Sequence, residues 1–419
     1  MKTKLIMLVL SFPLLMLGIT LPECIQQAEA QYAAGANAEI YRNQEKLSNS
    51  GITSGRYPQL SITAYYKGQS ESTEINLGEL PFEADFPQQS KTSYDLSLQM
   101  QQMVYDGGLI SQNSKLSELQ YKTRQVGLEG ELLKRNLQTA GYYYQILLFR
   151  RQEEILNLHK DNLTAELNKI EAAITAGMMD NTGSLLIRDQ IWQLAEEVLK
   201  VNYQKYDLMA KLTRITGILI KDNSELEIYE AELLFPEEIN RPELKALDLQ
   251  SEMERTLSSI AAGGLLPRLS LNGAYSYGNP GYDIFAEDAH AYWRAGLNFQ
   301  WNIWDWGSLK KQKAIHLQQA EVLQNTKTSS REAIELNLME IDNEMRRLRE
   351  NLKLYSERHK LLLQVVSGYE TRLEAGIISA EEYLQQFNKL KEVELKQATA
   401  EIQLSFKQIT ELFIMGGIL

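Results

Sequence analysis

Residues 105–177 read YDGGLISQNSKLSELQYKTRQVGLEGELLKRNLQTAGYYYQILLFRRQEEILNLHKDNLTAELNKIEAAITAG and contain no proline. Apolar residues recur in this stretch every seven positions, and the positions between them are mostly Glu, Lys, Gln, Asn and Arg. This pattern predicts a long coiled-coil helix that packs along one narrow face. A helix from 109 to 176 would be about 100 Å long, at roughly 1.5 Å per residue. The recurring residues are Leu119, Val126, Leu133, Ala140 and Leu147, and further on, after a step of nine, Leu156, Leu163 and Ile170.

The same arrangement returns further along the chain at one constant offset, from 106 to 305 and from 177 to 376. Equal spacing in both halves predicts an internal tandem repeat with two long helices of the same length. A glycine just past a long periodic segment is a common helix C-cap, so Gly177 and Gly376 are interpreted as turns between helices. Further matching pairs are Asp106 and Asp305, Gly108 and Gly307, Ala176 and Ala375, Leu185 and Leu384, and Gly217 and Gly416.

Ahead of each long helix the apolar period changes from seven to two, which predicts β-strands with one apolar and one polar face. The predicted strands are 57–69, 94–106, 266–278 and 291–305. Their lengths suit a tilted crossing of a bilayer, and Tyr and Trp lie at their ends as in the aromatic girdles of membrane barrels. The alternative is a soluble antiparallel sheet packed on the helices. A lack of Lys, Arg and Glu on the polar face favours a water-filled lumen.

Four strands are too few for a closed barrel, and an open sheet edge in lipid would leave backbone groups unpaired. The membrane interpretation therefore requires an oligomer. Three copies would supply twelve strands and a lumen wide enough for solutes.

Charge, cysteine content and the first residues narrow the class of protein. The formal net charge of -12 gives no electrostatic support for nucleic acid binding. Cys24 is the single cysteine, so an intrachain disulfide and a multi-cysteine zinc site are excluded; a lipid anchor at Cys24 is the alternative to a packed helix cysteine. Lys2 and Lys4 precede an apolar stretch of signal-peptide length, which predicts an exported chain with a signal peptide over residues 1–20.

No arrangement of residues predicts catalysis. The four histidines are not at ligand spacing on any one helix face, and no P-loop, dinucleotide or G-x-S-x-G motif occurs. We therefore expect a protein that is not an enzyme, with no catalytic residues, no cofactor and no metal site. The histidines are His159, His290, His316 and His359.

The order helix, two strands, long helix, glycine turn and helix, repeated once, resembles the outer-membrane efflux protein family typified by TolC. The motifs that carry the resemblance are ITLPECIQQA at 19–28, RPEL at 241–244, the Pro-x-Leu-Ser strand starts, YDGG at 105–108, WDWG at 304–307 and the two Ala-Gly turns. The resemblance covers essentially the whole mature chain.

This resemblance implies a mainly α fold with a small β part, in which each subunit contributes to a long α-helical coiled-coil barrel and four transmembrane β-strands to a twelve-stranded barrel. The implied domains are a first repeat at 21–217 with a helical hairpin at 109–217, a linker at 218–240, and a second repeat at 241–419 with a hairpin at 308–416. The implied location is the outer membrane of a Gram-negative cell, with the helices in the periplasm.

The implied partners are two further copies in a homotrimer, the lipid bilayer, a periplasmic adaptor (membrane fusion) protein and an inner-membrane pump of the RND or ABC class. Gly177, Met178, Gly376 and Ile377 would form the tips that contact the adaptor. Glu382 would lie at the periplasmic entrance, where an acidic ring favours cations; a solvated surface glutamate is the alternative.

The resemblance thus predicts a channel subunit of a tripartite efflux pump or a type I secretion system. The alternative from another class is a periplasmic coiled-coil adaptor or scaffold, which would share the signal peptide and the heptads but would not need four amphipathic strands. A general diffusion porin is disfavoured because porins consist mainly of strands.

Overall fold

The computed structural model describes residues 19–71, 90–176, 181–222, 224–229, 233–283 and 288–419. The predicted signal peptide lies outside these ranges apart from its last two residues. Along the described chain, the order helix, two strands, long helix and helix occurs twice, and in the first half an additional α-helix and a 3-10 helix precede it. The elements are α1 (Leu21–Ala30), a short 3-10 helix (Ala33–Ala36), α2 (Asn37–Ser54), β1 (Gln59–Gly68), β2 (Thr92–Tyr105), α3 (Leu109–Thr175), α4 (Thr182–Thr216), α5 (Pro242–Gly263), β3 (Arg268–Asn279), β4 (His290–Gln300), α6 (Ser308–Glu374) and α7 (Ala380–Met415).

The long helices α3 and α6 each contain 67 residues, so the equal helix lengths expected from the repeat are confirmed. The predicted fold class, mainly α with a small β part, is also confirmed. Closure into barrels, the trimer and the domain boundaries stay predictions. Within the described residues, no helix has the combination of length and apolar character needed to cross a bilayer.

The chain divides into two compact units. The helical unit comprises Met1–Asn37, Gly127–Leu244 and Ser329–Leu419, and the sheet unit comprises Ala38–Val126 and Lys245–Thr328. The sheet unit contains all four strands.

The helical unit has two main clusters of buried side chains. The first joins α1, α3, α4 and α7 around Cys24, Tyr143 and Leu212, each 0% exposed. Cys24 is therefore a packed helix cysteine, and burial raises the pKa of its thiol to about 12. The second cluster joins α3, α4, α6 and α7, and it buries Leu156 and Leu163 of the predicted heptad. The coiled-coil interpretation of the heptad is confirmed at these positions.

A single buried hydroxyl fixes the segment that follows α4. Tyr143 Oη lies 2.9 Å from the carbonyl oxygen of Ile19 and 2.8 Å from that of Glu227, and it accepts a hydrogen bond from the Glu227 amide at 3.1 Å. Ile19 also forms a parallel bridge with Leu226. These contacts hold the residues before α1 and the segment after α4 against α3.

The sheet is antiparallel throughout, in the order β1-β2-β3-β4. β1 begins at Gln59, just after Pro58, which has no amide hydrogen to donate to a ladder. β4 ends at Gln300, whereas the sequence predicted a strand to 305, because Gln300 pairs with Arg268, the first residue of β3. Trp301 then has no strand partner, and its indole Nε1 donates to the Leu265 carbonyl at 3.0 Å.

The turns from strand to long helix explain why Asp and Gly recur in both repeats. The Asp106 carboxylate accepts hydrogen bonds from the amides of Gly108 at 2.8 Å and Ile110 at 2.5 Å. In the second half Asp305 accepts from Gly307 at 2.9 Å and Leu309 at 2.8 Å. Each carboxylate thus satisfies amides at the start of its helix, which have no partner within the helix.

One position differs between these two turns. Gly107 has φ +73°, and the corresponding residue of the second turn is Trp306, with φ +57°. A positive φ is disfavoured for a bulky side chain. The second turn therefore accepts a strained backbone at Trp306, whose ring packs edge-on against Trp304 at 5.6 Å between centroids.

Candidate functional site

The apolar face of the sheet is largely exposed, which is the reverse of the arrangement in water-soluble proteins, whereas the polar face is buried only at some positions. On the polar face, Ser97 is 2% exposed, Ser276 is 0% exposed, and their hydroxyls are hydrogen-bonded at 2.8 Å. On the apolar face, Ile62 and Leu297 are each 71% exposed. A soluble sheet with one covered face buries its apolar residues, so this sheet is suited to an apolar medium on its outer side. The other large exposed residues of this face are Leu60, Tyr66, Tyr94, Leu96, Leu98, Tyr275, Tyr277, Trp293 and Phe299.

The pairing register corrects one expectation about the polar face. The sequence predicted a polar face without Lys, Arg or Glu, but Lys67, Arg268 and Arg294 lie on it, opposite Ser93, Gln300 and Ala274. The predicted strands 57–69, 266–278 and 291–305 contain these residues, and the prediction was wrong because the alternation was followed only over a shorter stretch of each strand. β1 continues past Tyr66, β3 begins one residue before Leu269, and β4 begins at His290.

Among the described residues, the two outer strands each have one partner: β1 pairs with β2, and β4 pairs with β3. Their outer edges therefore present backbone amides and carbonyls with no ladder partner in this chain. A long, apolar strand edge of this kind is a surface for pairing with another chain.

The turn between α6 and α7 contains the predicted tip residues Gly376 and Ile377. Gly376 has φ +68°. Its amide donates to the Leu373 carbonyl at 3.0 Å, and the Ile377 amide donates to the Arg372 carbonyl at 2.9 Å. This pair of hydrogen bonds is the Schellman motif, which needs a residue with positive φ and therefore favours glycine. Ile377 follows with its apolar side chain 73% exposed.

The predicted entrance residue Glu382 takes part in the start of α7. The Ser379 hydroxyl accepts from the Glu382 amide at 3.2 Å, and the Glu382 carboxylate accepts from the Ser379 amide at 2.9 Å, which together form a capping box. The Ser379 hydroxyl also donates to the Glu382 carboxylate at 3.1 Å, and the hydrogen bonds that this carboxylate accepts from the Ser379 amide and hydroxyl lower the pKa of Glu382. The side chain is exposed and carries its negative charge at neutral pH.

The equivalent turn in the first half falls between Thr175, the last residue of α3, and Thr182, the first of α4. The predicted tip residues Gly177 and Met178 lie outside the described residues. Next to this turn, Gly183 of α4 lies against Ala380 of α7, because a Cβ added at Gly183 would be 3.3 Å from the Cβ of Ala380.

Three helices of the helical unit meet at a carboxylate that sequence reasoning missed. Glu394 of α7 is bound by His159 Nε2 of α3 at 2.5 Å and by His359 Nε2 of α6 at 2.8 Å. Burial alone would raise the pKa of Glu394, but the hydrogen bonds and charges of the two histidines outweigh it and hold the pKa below its usual range. His159 is 2% exposed and packs edge-on against Phe387. The arrangement links α3, α6 and α7.

Glu166, Glu370 and Glu374 form the one acidic cluster of metal-site dimensions in the described part of the chain. The ammonium of Lys169 lies between them, at 3.1, 2.8 and 2.7 Å from their respective carboxylate oxygens. Lys169 thus supplies the positive charge at this cluster, and the four side chains join α3 to α6 as an ion network.

A mainly helical chain with a small, outward-apolar sheet is the fold of solved outer-membrane channels. CusC matches with a TM-score of 0.78 and 13% identity over 95% of this chain and 92% of CusC. VceC from Vibrio cholerae matches with a TM-score of 0.72 and 11% identity over 95% and 96% of the two chains. The open-state MtrE channel of Neisseria gonorrhoeae matches with a TM-score of 0.71 and 13% identity over 95% and 89%. No curated protein matches the sequence significantly.

The second half of the chain matches a known family. Residues 237–413 match the family model described as outer membrane efflux protein, and the predicted resemblance is confirmed. Family and fold are those of channels rather than enzymes. Together they support an efflux-channel role and a location in the outer membrane.

Proposed function

We propose that this chain is one subunit of a homotrimeric outer-membrane channel, which conducts substrates outward as part of a tripartite efflux pump or a type I secretion system. The observation that carries the proposal is the sheet, whose apolar side chains are exposed while serines of its polar face are buried. In lipid such a face is stabilised, whereas in water it would leave a large apolar patch exposed.

The open outer edges of β1 and β4 support the trimer. Backbone groups at a sheet edge need partners in hydrocarbon, so the outer edge of β4 pairs with β1 of the next subunit. Three subunits give twelve strands, with the polar faces inside. The long helices form the periplasmic part of the subunit.

The α6–α7 turn supports a docking role for its tip. The Schellman motif at Gly376 fixes the backbone, and Ile377 presents an apolar side chain that is 73% exposed. We infer that Gly376 and Ile377, together with Gly177 and Met178 of the first repeat, contact a periplasmic adaptor that connects the channel to an inner-membrane pump. Replacing Ile377 with Asp would then impair export while leaving single-channel conductance unchanged. Ile418→Asp is the matched control, because it adds the same charge at another exposed isoleucine, which is 81% exposed.

We also propose that Glu382 lies at the periplasmic entrance. Its carboxylate is exposed, and its lowered pKa keeps it charged. Three such charges around a narrow opening favour cations by their field. Glu382→Gln keeps a side chain that can form the capping box at this position. A lower cation preference in this variant would therefore result from the lost charge and not from a disrupted start of α7. An unchanged reversal potential would remove Glu382 from the entrance.

The proposal as a whole is tested with the purified mature protein. We expect it to fractionate with the outer membrane, to migrate as a trimer in detergent until heated, and to form conducting channels in planar bilayers. A water-soluble monomer released by osmotic shock, without channel activity, would contradict the proposal and favour the adaptor or scaffold.

A further inference from the structure

The charged side chains on the polar face of the sheet are not balanced. In the described strands this face carries three basic side chains, Lys67, Arg268 and Arg294, and one carboxylate, Asp95. The imidazole of His290 lies at the loop end of the same face. The accessible charge is therefore mainly positive, although the whole chain has a net charge of -12.

The one carboxylate is withdrawn from solvent. Asp95 is 8% exposed, and it accepts a hydrogen bond from the Tyr292 hydroxyl at 2.7 Å. Among the described residues no acidic side chain forms an ion pair with Lys67, Arg268 or Arg294. The Arg294 guanidinium lies over the Tyr292 ring, 5.8 Å from its centroid. This cation–π contact orients the guanidinium and leaves its charge in place.

Arg294 lies near the middle of β4, one of the two outer strands. Its row across the four strands continues through Ala274, Gln99 and Ser61, which are short or neutral. Lys67 lies near the loop end of β1, and Arg268 is the first residue of β3, next to α5. The exposed Arg294 side chain therefore projects over a row that neither covers it nor compensates its charge.

We propose that Arg294 gives the sheet-lined part of the channel a preference for anionic solutes. The inference rests on the proposed function, since it takes the polar faces of three subunits to line one lumen. A twelve-stranded barrel has a backbone radius of about 12 Å, for strands ~4.8 Å apart and tilted by about 40°. Three guanidinium groups then lie within about 10 Å of an ion on the axis at the level of the ring.

The effect depends on ionic strength in a calculable way. At about 0.01 M salt the Debye length is about 30 Å, so the three charges act together on the axis. At 1 M salt it is about 3 Å, and the ring is screened. From Coulomb energies in water at these distances, we expect removal of the ring to lower the chloride-to-potassium permeability ratio about threefold or more at low salt, with no measurable change at 1 M.

The test is the reversal potential of the purified trimer in planar bilayers under a potassium chloride gradient. Arg294→Lys keeps the charge and should keep the wild-type ratio at low salt. Arg294→Gln should show the reduced ratio, and Arg294→Glu should shift it further toward cations. All three variants change an exposed side chain, so heat-modifiable trimers are expected from each.

The outcomes separate this inference from the proposed function. Channels with the same low-salt reversal potential in all four proteins would overturn the role of Arg294 while leaving the channel itself intact. Absence of any conductance from correctly folded wild-type protein would instead overturn the proposed function. A shift that persists at 1 M salt would also contradict the inference, because a screened ring cannot produce it.

Discussion

Replacing Leu98 with Lys is expected to destabilise the assembled channel, whereas the same replacement at the adjacent Gln99 is expected to be tolerated. The two residues are neighbours near the centre of β2, and strand geometry places them on opposite faces. Leu98 pairs with Ile62 and Tyr275 on the apolar face, and Gln99 pairs with Ser61 and Ala274 on the polar face. Length, charge and strand position of the new side chain are the same in both variants.

The expected difference follows from the medium that each face contacts. A lysine on the lipid face near the bilayer midplane costs about 2–4 kcal/mol, so three copies cost about 6–12 kcal/mol per trimer. A lysine at Gln99 faces water and costs close to nothing. If the sheet were soluble, Leu98 would already be 47% exposed to water, and its replacement would change stability by no more than about 0.5 kcal/mol.

The assay is the yield of heat-modifiable trimer in the outer-membrane fraction, together with urea unfolding of the purified protein in detergent micelles. We expect the Leu98→Lys trimer to be depleted or to unfold at a clearly lower urea concentration than Gln99→Lys and wild type. Equal yields and equal unfolding midpoints for the two lysine variants would refute the assignment of the apolar face to lipid.

Three further predictions concern the helical unit. Tyr143→Phe leaves the backbone groups around its hydroxyl without a partner and should lower the free energy of unfolding by about 1–3 kcal/mol. Tyr142→Phe, at a less buried site, should change the free energy of unfolding little. Equal losses for the two variants in denaturant unfolding would contradict this prediction. Gly376→Ala should cost about 1 kcal/mol because the residue has φ +68°, whereas Gly368→Ala inside α6 should stabilise by about 0.5–1 kcal/mol, measured in the same way. Glu394 has a lowered pKa, so its carboxylate stabilises the folded state. The difference in free energy of unfolding between wild type and Glu394→Gln should be fully present above about pH 4.3 and should disappear as the pH falls through the folded-state pKa. A difference that grows in acid would contradict this prediction.

The helices were predictable because their signal is local and repeated. Leu156 and Leu163 recur at heptad spacing, and both are buried in the second core cluster of the helical unit. The Asp and Gly pairs were also visible in the sequence, and the capping hydrogen bonds of Asp106 and Asp305 give the physical reason for their recurrence.

Features that depend on distant pairing were not predictable from periodicity. His159 and Glu394 are separated by 235 positions and meet only because α3 and α7 pack together. Spacing rules for histidines on one helix cannot find such a contact. The cationic residues of the polar face were missed for a different reason. Arg294 has the same parity as Asn298 and Gln300 and so lies on their face, but the alternation was followed only from Leu297 onward.

The identical length of α3 and α6 limits which insertions and deletions the two helices can tolerate. Deleting one residue from an α-helix rotates everything beyond the deletion by about 100° and shortens it by about 1.5 Å. A change of that kind in α3 alone would turn its apolar stripe away from its neighbours and move its tip out of level with that of α6. Viable length variants should therefore remove or add seven residues, which is one heptad or about two helical turns, at matching places in both halves.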